Sequence, residues 1–111
     1  MFAGCNNIIS INFPSFNTKV VKNMKYMFYE CIQMKEINLF SFNTKNVTDM
    51  SFMFCYCNQL KDLDLSSFNT KNVTSMKGIF GECQILENLN LSSFNTEKLL
   101  IWILCFIIVI I

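Results

Sequence analysis

Acidic and amide side chains recur in this chain at positions that could bind a cation or contact a partner. Two columns of them repeat every 26 residues and comprise Glu36, Asn38, Asp62, Asp64, Asn88 and Asn90. If the repeats stack, each column becomes a strip of carboxylate and amide oxygens, which are ligands that hard cations accept. Solvation of an exposed strand explains the same residues without any ligand. We predict that this strip is the candidate binding face and assign it no metal or cofactor.

The same columns do not predict catalysis. They place like groups on a flat surface, without a nucleophile or a predicted pocket. The chain also contains no His, which is the commonest general base near neutral pH. We therefore predict that the protein is not an enzyme.

Six cysteines raise the question of disulfides or a zinc site. Four of them recur every 26 residues, as Cys5, Cys31, Cys57 and Cys83. Without His or any Cys-x-x-Cys pair, the sequence does not favour zinc. Stacked thiols could approach bonding distance, but we favour small buried thiols that act as apolar spacers. We predict that Cys31, Cys57 and Cys83 are reduced and buried, and that Cys55 points outward and reacts first.

Composition excludes several classes of protein. The chain has 111 residues, of which 52% are hydrophobic, and its formal net charge is +1. This length suits one domain, and the apolar content argues against disorder. Every cationic residue is Lys, so the bidentate Arg contacts that read phosphates and bases are missing. We predict no nucleic-acid partner.

The elements that must position these residues follow from an internal repeat. The tripeptide Phe-Asn-Thr occurs at residues 16–18, 42–44, 68–70 and 94–96, always 26 residues apart. A fixed period of this length indicates stacked supersecondary units. We predict Phe68 as a buried anchor of its turn and Thr70 as a residue of the turn surface.

Two segments of each repeat have a recognisable periodicity. Leu63-Asp64-Leu65 alternates with period two, which predicts a strand with one buried face. Apolar residues between Asn46 and Cys57 are spaced by three and four, which predicts a short helical turn. In an alternative, Val47-Thr48-Asp49 is a second short strand before a single turn. Because each unit returns in the same direction, the stacked strands would form a parallel sheet.

The repeat pattern resembles the leucine-rich repeats, and more closely the 26-residue bacterial surface-protein repeat of the BspA-like group. The resemblance covers residues 1 to about 98, and in one unit it is carried by Phe68-Asn69-Thr70-Lys71-Asn72-Val73-Thr74-Ser75-Met76, Ile79-Phe80, Cys83, Leu86, Leu89-Asn90-Leu91 and Ser92-Ser93. Together with the periodicity it predicts an α/β repeat fold, a short leucine-rich-repeat-like solenoid with a stacked parallel β-sheet and short helical turns.

The predicted domain is a solenoid over residues 1–98. It comprises a partial coil at 1–15, full coils at 16–41, 42–67 and 68–93, and the start of a fourth at 94–98. What the resemblance implies is a cell-surface or membrane-associated protein that binds a protein or cell-surface ligand, although no signal peptide precedes the first repeat. We therefore predict a non-catalytic binding or adhesion module that uses the strand face. The alternative is a membrane-anchored structural spacer or a truncated fragment of a longer surface protein.

An apolar tail at residues 99–111 departs from the repeat. Three interpretations remain open: a membrane anchor, an apolar terminal coil that caps the array, or out-of-frame sequence after a truncated repeat. As a helix the tail would span about 20 Å, which is short of the ~30 Å hydrocarbon core. We predict membrane contact or self-association through these residues.

Overall fold

Four short strands lie at equivalent positions in successive repeats. The computed structural model describes residues 2–15 and 17–95, and the strands in this part of the chain are β1 (Ser10–Asn12), β2 (Glu36–Asn38), β3 (Asp62–Asp64) and β4 (Asn88–Asn90). Each has an apolar central residue between two exposed polar residues. The central side chain packs inward, so the period-two pattern of the sequence corresponds to real strands.

The strands pair in parallel, but they do not form one continuous sheet. β1 pairs with β2, with Ser10 opposite Glu36, and β3 pairs with β4, with Asp62 opposite Asn88. Between these two sheets, the same register would set the carboxylates of Glu36 and Asp62 against each other. Like charges directly opposite destabilise a strand pair, whereas the Ser–Glu and Asp–Asn pairs carry no such repulsion.

The segment predicted as a helical turn is a series of β-turns. Three turns follow one another in residues 50–57, with backbone N–H···O distances of 3.3 Å from Met53 to Met50, 3.3 Å from Cys55 to Phe52 and 3.2 Å from Cys57 to Phe54. Residues 24–31 and 76–83 repeat the arrangement. We call these three stretches the turn segments. The apolar spacing of three and four therefore came from linked turns and not from a helix.

The backbone donors that a helix would need are used between repeats. The N–H groups of Met24, Tyr26, Phe28 and Glu30 donate to the carbonyls of Asp49, Ser51, Met53 and Cys55 at 2.8–3.0 Å. Left-handed residues also interrupt each turn segment, with φ of 57° at Phe52 and 65° at Tyr56. An α-helix requires a right-handed φ and an i−4 acceptor at every step, and neither condition holds here.

The predicted second strand is only partly realised. Asp49 forms isolated parallel bridges with Asn23 and with Ser75, but no strand extends from them. These bridges continue directly into the inter-repeat bonds of the turn segments. The second short strand of the alternative is thus reduced to single bridges, and its single turn is wrong, because three turns follow.

The core consists of columns of equivalent apolar residues that stack from one repeat to the next. Phe28, Phe54 and Phe80 stack with ring centroids 5.5 and 6.1 Å apart, and Phe42, Phe68 and Phe94 stack at 6.4 and 6.5 Å. Such offset stacking adds to the free energy gained by burying the rings. All six are buried. The prediction that Phe68 is a buried anchor is confirmed.

The predicted α/β solenoid of the leucine-rich-repeat type is therefore wrong. Residues 2–15 and 17–95 contain no helix, and their strands form two small two-stranded sheets. The Cα radius of gyration is 12.6 Å, which is that of a compact globule of this length. None of these residues belongs to a helix long and apolar enough to cross a membrane. The predicted tail at 99–111 lies outside the described residues.

Candidate functional site

The six residues of the predicted binding face all lie on the strands, and all are exposed. Glu36 and Asn38 are on β2, in the first sheet, whereas Asp62, Asp64, Asn88 and Asn90 are on the paired strands of the second. The face is thus divided between two sheets. On the second sheet the residues line an open groove of about 570 Å³, together with Glu87 and the apolar residues Leu63, Leu89 and Leu91.

In one column of this face, the side-chain oxygens already accept hydrogen bonds from the chain's own backbone. The side-chain oxygens of Asn38, Asp64 and Asn90 accept hydrogen bonds from backbone N–H groups two residues later, at 3.0, 2.9 and 3.0 Å. These are Asx-turns, which direct the chain away from the strand. Hydrogen bonds from the side chain and the backbone of Ser66 lower the pKa of Asp64. This column shapes the turn and leaves only part of its oxygen surface for a ligand.

The other column is more available. Asp62 accepts a hydrogen bond from the side-chain amide of Asn88, so one carboxylate oxygen stays free to contact a partner. Beside it, Lys61 and Glu87 form an ion pair of 3.7 Å in which both side chains are more than half exposed. Exposed pairs of this kind contribute little to stability, typically about 0–1 kcal/mol. The ion pair between Glu87 and Lys61 can therefore be replaced at little cost by one between Glu87 and another cation.

The threonine of the Phe-Asn-Thr motif joins one repeat to the next. The hydroxyl of Thr18 donates to the carbonyl of Asn43 at 2.9 Å and accepts from its N–H at 2.7 Å. Thr44 makes the same two bonds with Asn69, at 3.0 and 2.7 Å. The prediction that Thr70 lies on the turn surface is wrong, because this side chain is buried like those of Thr18 and Thr44.

Cys31, Cys57 and Cys83 are buried free thiols, as predicted, whereas Cys5 is a half-buried free thiol. The thiols of Cys31, Cys57 and Cys83 donate to the carbonyls of Phe2, Phe28 and Phe54 at 3.3, 3.3 and 3.1 Å. Burial raises the pKa of Cys31 to about 11 and that of Cys83 to about 12, and it raises the pKa of Cys57 as well. Protonated thiols are poor nucleophiles, which makes these three inert.

The prediction that Cys55 points outward is wrong. Its side chain is only 7% exposed. It packs where Gly81 leaves room in the next repeat, because a Cβ on that glycine would lie 3.0 Å from the sulfur. Burial raises the pKa of the Cys55 thiol, and the charges of Glu82 and Glu30 raise it further.

In the described ranges, no three Cys, Asp or Glu side chains come together as a metal site would require.

An aromatic surface on the turn segments was missed by the sequence reasoning. It consists of Tyr26, Tyr29, Phe52 and Tyr56, which we call the aromatic cluster. Tyr26 stacks on Phe52 with centroids 5.2 Å apart, and Tyr29 lies nearly perpendicular to Tyr26 and Tyr56, at 5.1 and 5.8 Å. One signal in the sequence could have located it. At each of these positions the residue type changes between repeats, and a glycine stands in one repeat where an aromatic residue stands in another.

These features define a class of protein: 26-residue repeats that form no helix over residues 2–15 and 17–95 and are joined in parallel by backbone pairing and by buried threonines. The chain belongs to the family described as Mycoplasma protein of unknown function, DUF285, whose sequence model matches residues 1–104. This match does not identify the BspA-like leucine-rich-repeat group. No curated protein and no solved structure matches the chain.

Proposed function

We propose that this chain is a non-catalytic binding module whose strand face contacts a basic surface on a protein partner. The observation that carries the proposal is the open groove of the second sheet, which is lined by Asp62, Asp64, Glu87 and two asparagines. Its carboxylates are exposed and its floor is apolar. Protein interfaces combine these two properties, with apolar area at the centre and polar groups at the rim.

Charge complementarity supports a basic partner. Three carboxylates line the groove, and Lys61 is paired weakly with one of them, Glu87. A partner's Lys or Arg can displace that lysine at little cost, since exposed ion pairs are worth only about 0–1 kcal/mol. Complementary charges would also increase the association rate and fix the orientation of the complex.

The setting we propose is a cell surface, with adhesion as the biological role. Support for it comes from the resemblance of the repeat motifs to the BspA-like surface proteins. Membrane contact or self-association through residues 99–111 remains part of this proposal on the composition of that segment alone. The alternative role of a membrane-anchored spacer depends on the same residues, and nothing in the described residues favours it.

A biosensor experiment with an immobilised lysine-rich peptide tests the strand face. The test variant combines Asp62→Asn with Glu87→Gln, which removes two groove charges and keeps the hydrogen-bond acceptor for Asn88. We expect its affinity at physiological salt to fall roughly 2- to 30-fold, as the loss of two exposed charge pairs implies. The control variant combines Glu30→Gln with Glu82→Gln, which removes two charges from the turn segments.

The two variants have the same net charge, so the comparison isolates the face. Unchanged binding of the control variant together with weakened binding of the test variant supports the proposal. Equal weakening of both would show that only net charge matters, and the strand face would be rejected. A wild-type protein that binds a glutamate-rich peptide equally well would also contradict a basic partner.

A further inference from the structure

A cavity of about 360 Å³ opens beside the aromatic cluster, on a different edge of the molecule from the strand face. All four rings of the cluster line it, together with Cys55, Gly81 and Glu82. Tyr26 and Tyr56 are about 40% exposed, so solutes reach the cavity from solvent. It is small, aromatic-walled and bordered by a carboxylate.

The cavity arises from mismatched side-chain sizes in neighbouring repeats. Tyr29, Cys55 and Gly81 occupy equivalent positions, so the large ring of the first is followed by a thiol and then by no side chain. Next to this column, the ring of Phe52 lies against Gly78, where an added Cβ would come within 2.5 Å of it. The small residues of the following repeat thus leave space beside the rings, and the cavity opens there.

We propose that this cavity binds an alkylated ammonium group, such as the trimethylammonium head of a choline-like molecule or of a trimethylated lysine. Aromatic faces attract cations through the ring quadrupole, and sets of aromatic side chains recognise quaternary ammonium groups in this way. An alkylated ammonium also suits the apolar walls, because its methyl groups need no hydrogen bonds. A primary ammonium would lose hydration that the rings cannot replace.

The charges around the cavity favour a cation. Glu82 is in the lining, and Glu30 lies close enough to act electrostatically on Cys55, another lining residue. Partial burial raises the pKa of Tyr29, and the negative charge of Glu30 raises it further. The ammonium of Lys25 lies 5.3 Å from the ring centroid of Tyr26, so this ring already contacts a cation; its positive charge opposes a cationic ligand, but the two carboxylates outnumber it.

Titration calorimetry with four probes tests the proposal. The probes are choline, its neutral isostere 3,3-dimethylbutanol, a trimethyllysine peptide and the same peptide unmethylated. We expect millimolar or tighter binding of both methylated ammonium probes. The neutral and unmethylated counterparts should bind roughly 2- to 30-fold more weakly, which is the range of cation–π selectivity. Tighter binding of the peptide than of choline would indicate a methylated protein as the source, and the reverse order a small molecule.

Two substitutions at Tyr56 localise the site. Tyr56→Gly removes the ring at a residue whose φ is 65°, a conformation that glycine adopts without strain. It should preserve the fold and weaken choline binding at least several-fold, whereas Tyr56→Phe should keep it. Phe40→Ala, which removes a highly exposed ring outside the cavity, is the matched control. Equal binding of choline and dimethylbutanol, or equal losses from Tyr56→Gly and Phe40→Ala, would overturn the inference.

Discussion

Replacing Thr44 by valine should destabilise the protein through two specific hydrogen bonds. The side chain is buried, and its hydroxyl both donates to and accepts from the backbone of Asn69. Valine has nearly the same shape and removes only the hydroxyl. Each lost bond is worth about 0.5–1.5 kcal/mol, so we expect a loss of about 1–3 kcal/mol in the free energy of unfolding. Against a total of ~5–15 kcal/mol this is a large effect.

Urea and thermal melts measure this loss, and Thr48→Val is the matched control. The hydroxyl of Thr48 also bonds across repeats, to the carbonyl of Lys22 at 3.2 Å, but it is exposed and water can replace the bond. We expect the control to change stability by no more than about 0.5 kcal/mol. The Thr44 variant should lower the melting temperature on the order of 5–20 °C.

A site-specific measurement separates the hydrogen bonds from general packing. Amide hydrogen exchange at Asn69 should become faster in Thr44→Val than in the control, because this N–H loses its acceptor. If Thr44→Val and Thr48→Val cost the same, or if exchange at Asn69 is unchanged, the reasoning about an inter-repeat threonine bond is refuted.

Three further predictions concern the core, a glycine and the thiols. Phe68→Ala should cost ~3–5 kcal/mol in urea melts because it leaves a cavity in a stacked column; a loss below about 1 kcal/mol would contradict its buried place. Gly78→Ala should destabilise more than Gly4→Ala in thermal melts, since both have positive φ but only the former would clash with a ring. Thiols with pKa values raised to about 11 at Cys31 and about 12 at Cys83 stay protonated when folded. Their contribution to stability is complete below pH ~9, where unfolded thiols are still protonated, and is lost as pH rises from there; melts between pH 8 and 11 that show no loss in wild type relative to a Cys83→Ala variant would contradict this.

The sequence predicted well those features that depend on the pattern of apolar and polar residues within one repeat. The columns of Phe68 and of Cys31, Cys57 and Cys83 are apolar in successive repeats, so burial was the natural inference, and the structure agrees. The strand residues around Leu63 alternate over a short span, and this also holds. Local pattern is enough for these features because they depend only on which side of the backbone faces the core.

What the sequence could not predict depends on partners one repeat away. Linked β-turns and a helical turn both bury residues such as Met50, Met53 and Phe54, so periodicity does not separate them. The deciding factor was the use of backbone N–H groups by the next repeat. Thr70 was misplaced for the same reason, because the equivalent threonines find their partners 25 residues further along the chain.

The candidate sites show a similar division. Sequence columns placed the acidic strand residues on one exposed edge, but they could not show that the sheet divides between Glu36 and Asp62 or that Asp64 caps its own turn. The aromatic cluster was missed because a repeat period identifies only positions that carry similar residues in successive units, and the positions of the cluster do not. Tyr29 and Phe52 line a cavity because the next repeats carry smaller residues at their positions, which are Cys55 and Gly81 for Tyr29 and Gly78 for Phe52.

The bonds of Thr18 and Thr44 have a consequence for the length of such chains. Thr18 meets the backbone of Asn43 in the way that Thr44 meets that of Asn69. Excision of residues 42–67 would join residues 41 and 68 and bring Asn69 to the position of Asn43, so Thr18 would find an identical partner. Recombination between copies can therefore shorten or lengthen the protein by whole 26-residue units that keep this threonine bond, whereas a change of length inside a strand or turn segment would put the contacts of that unit out of register.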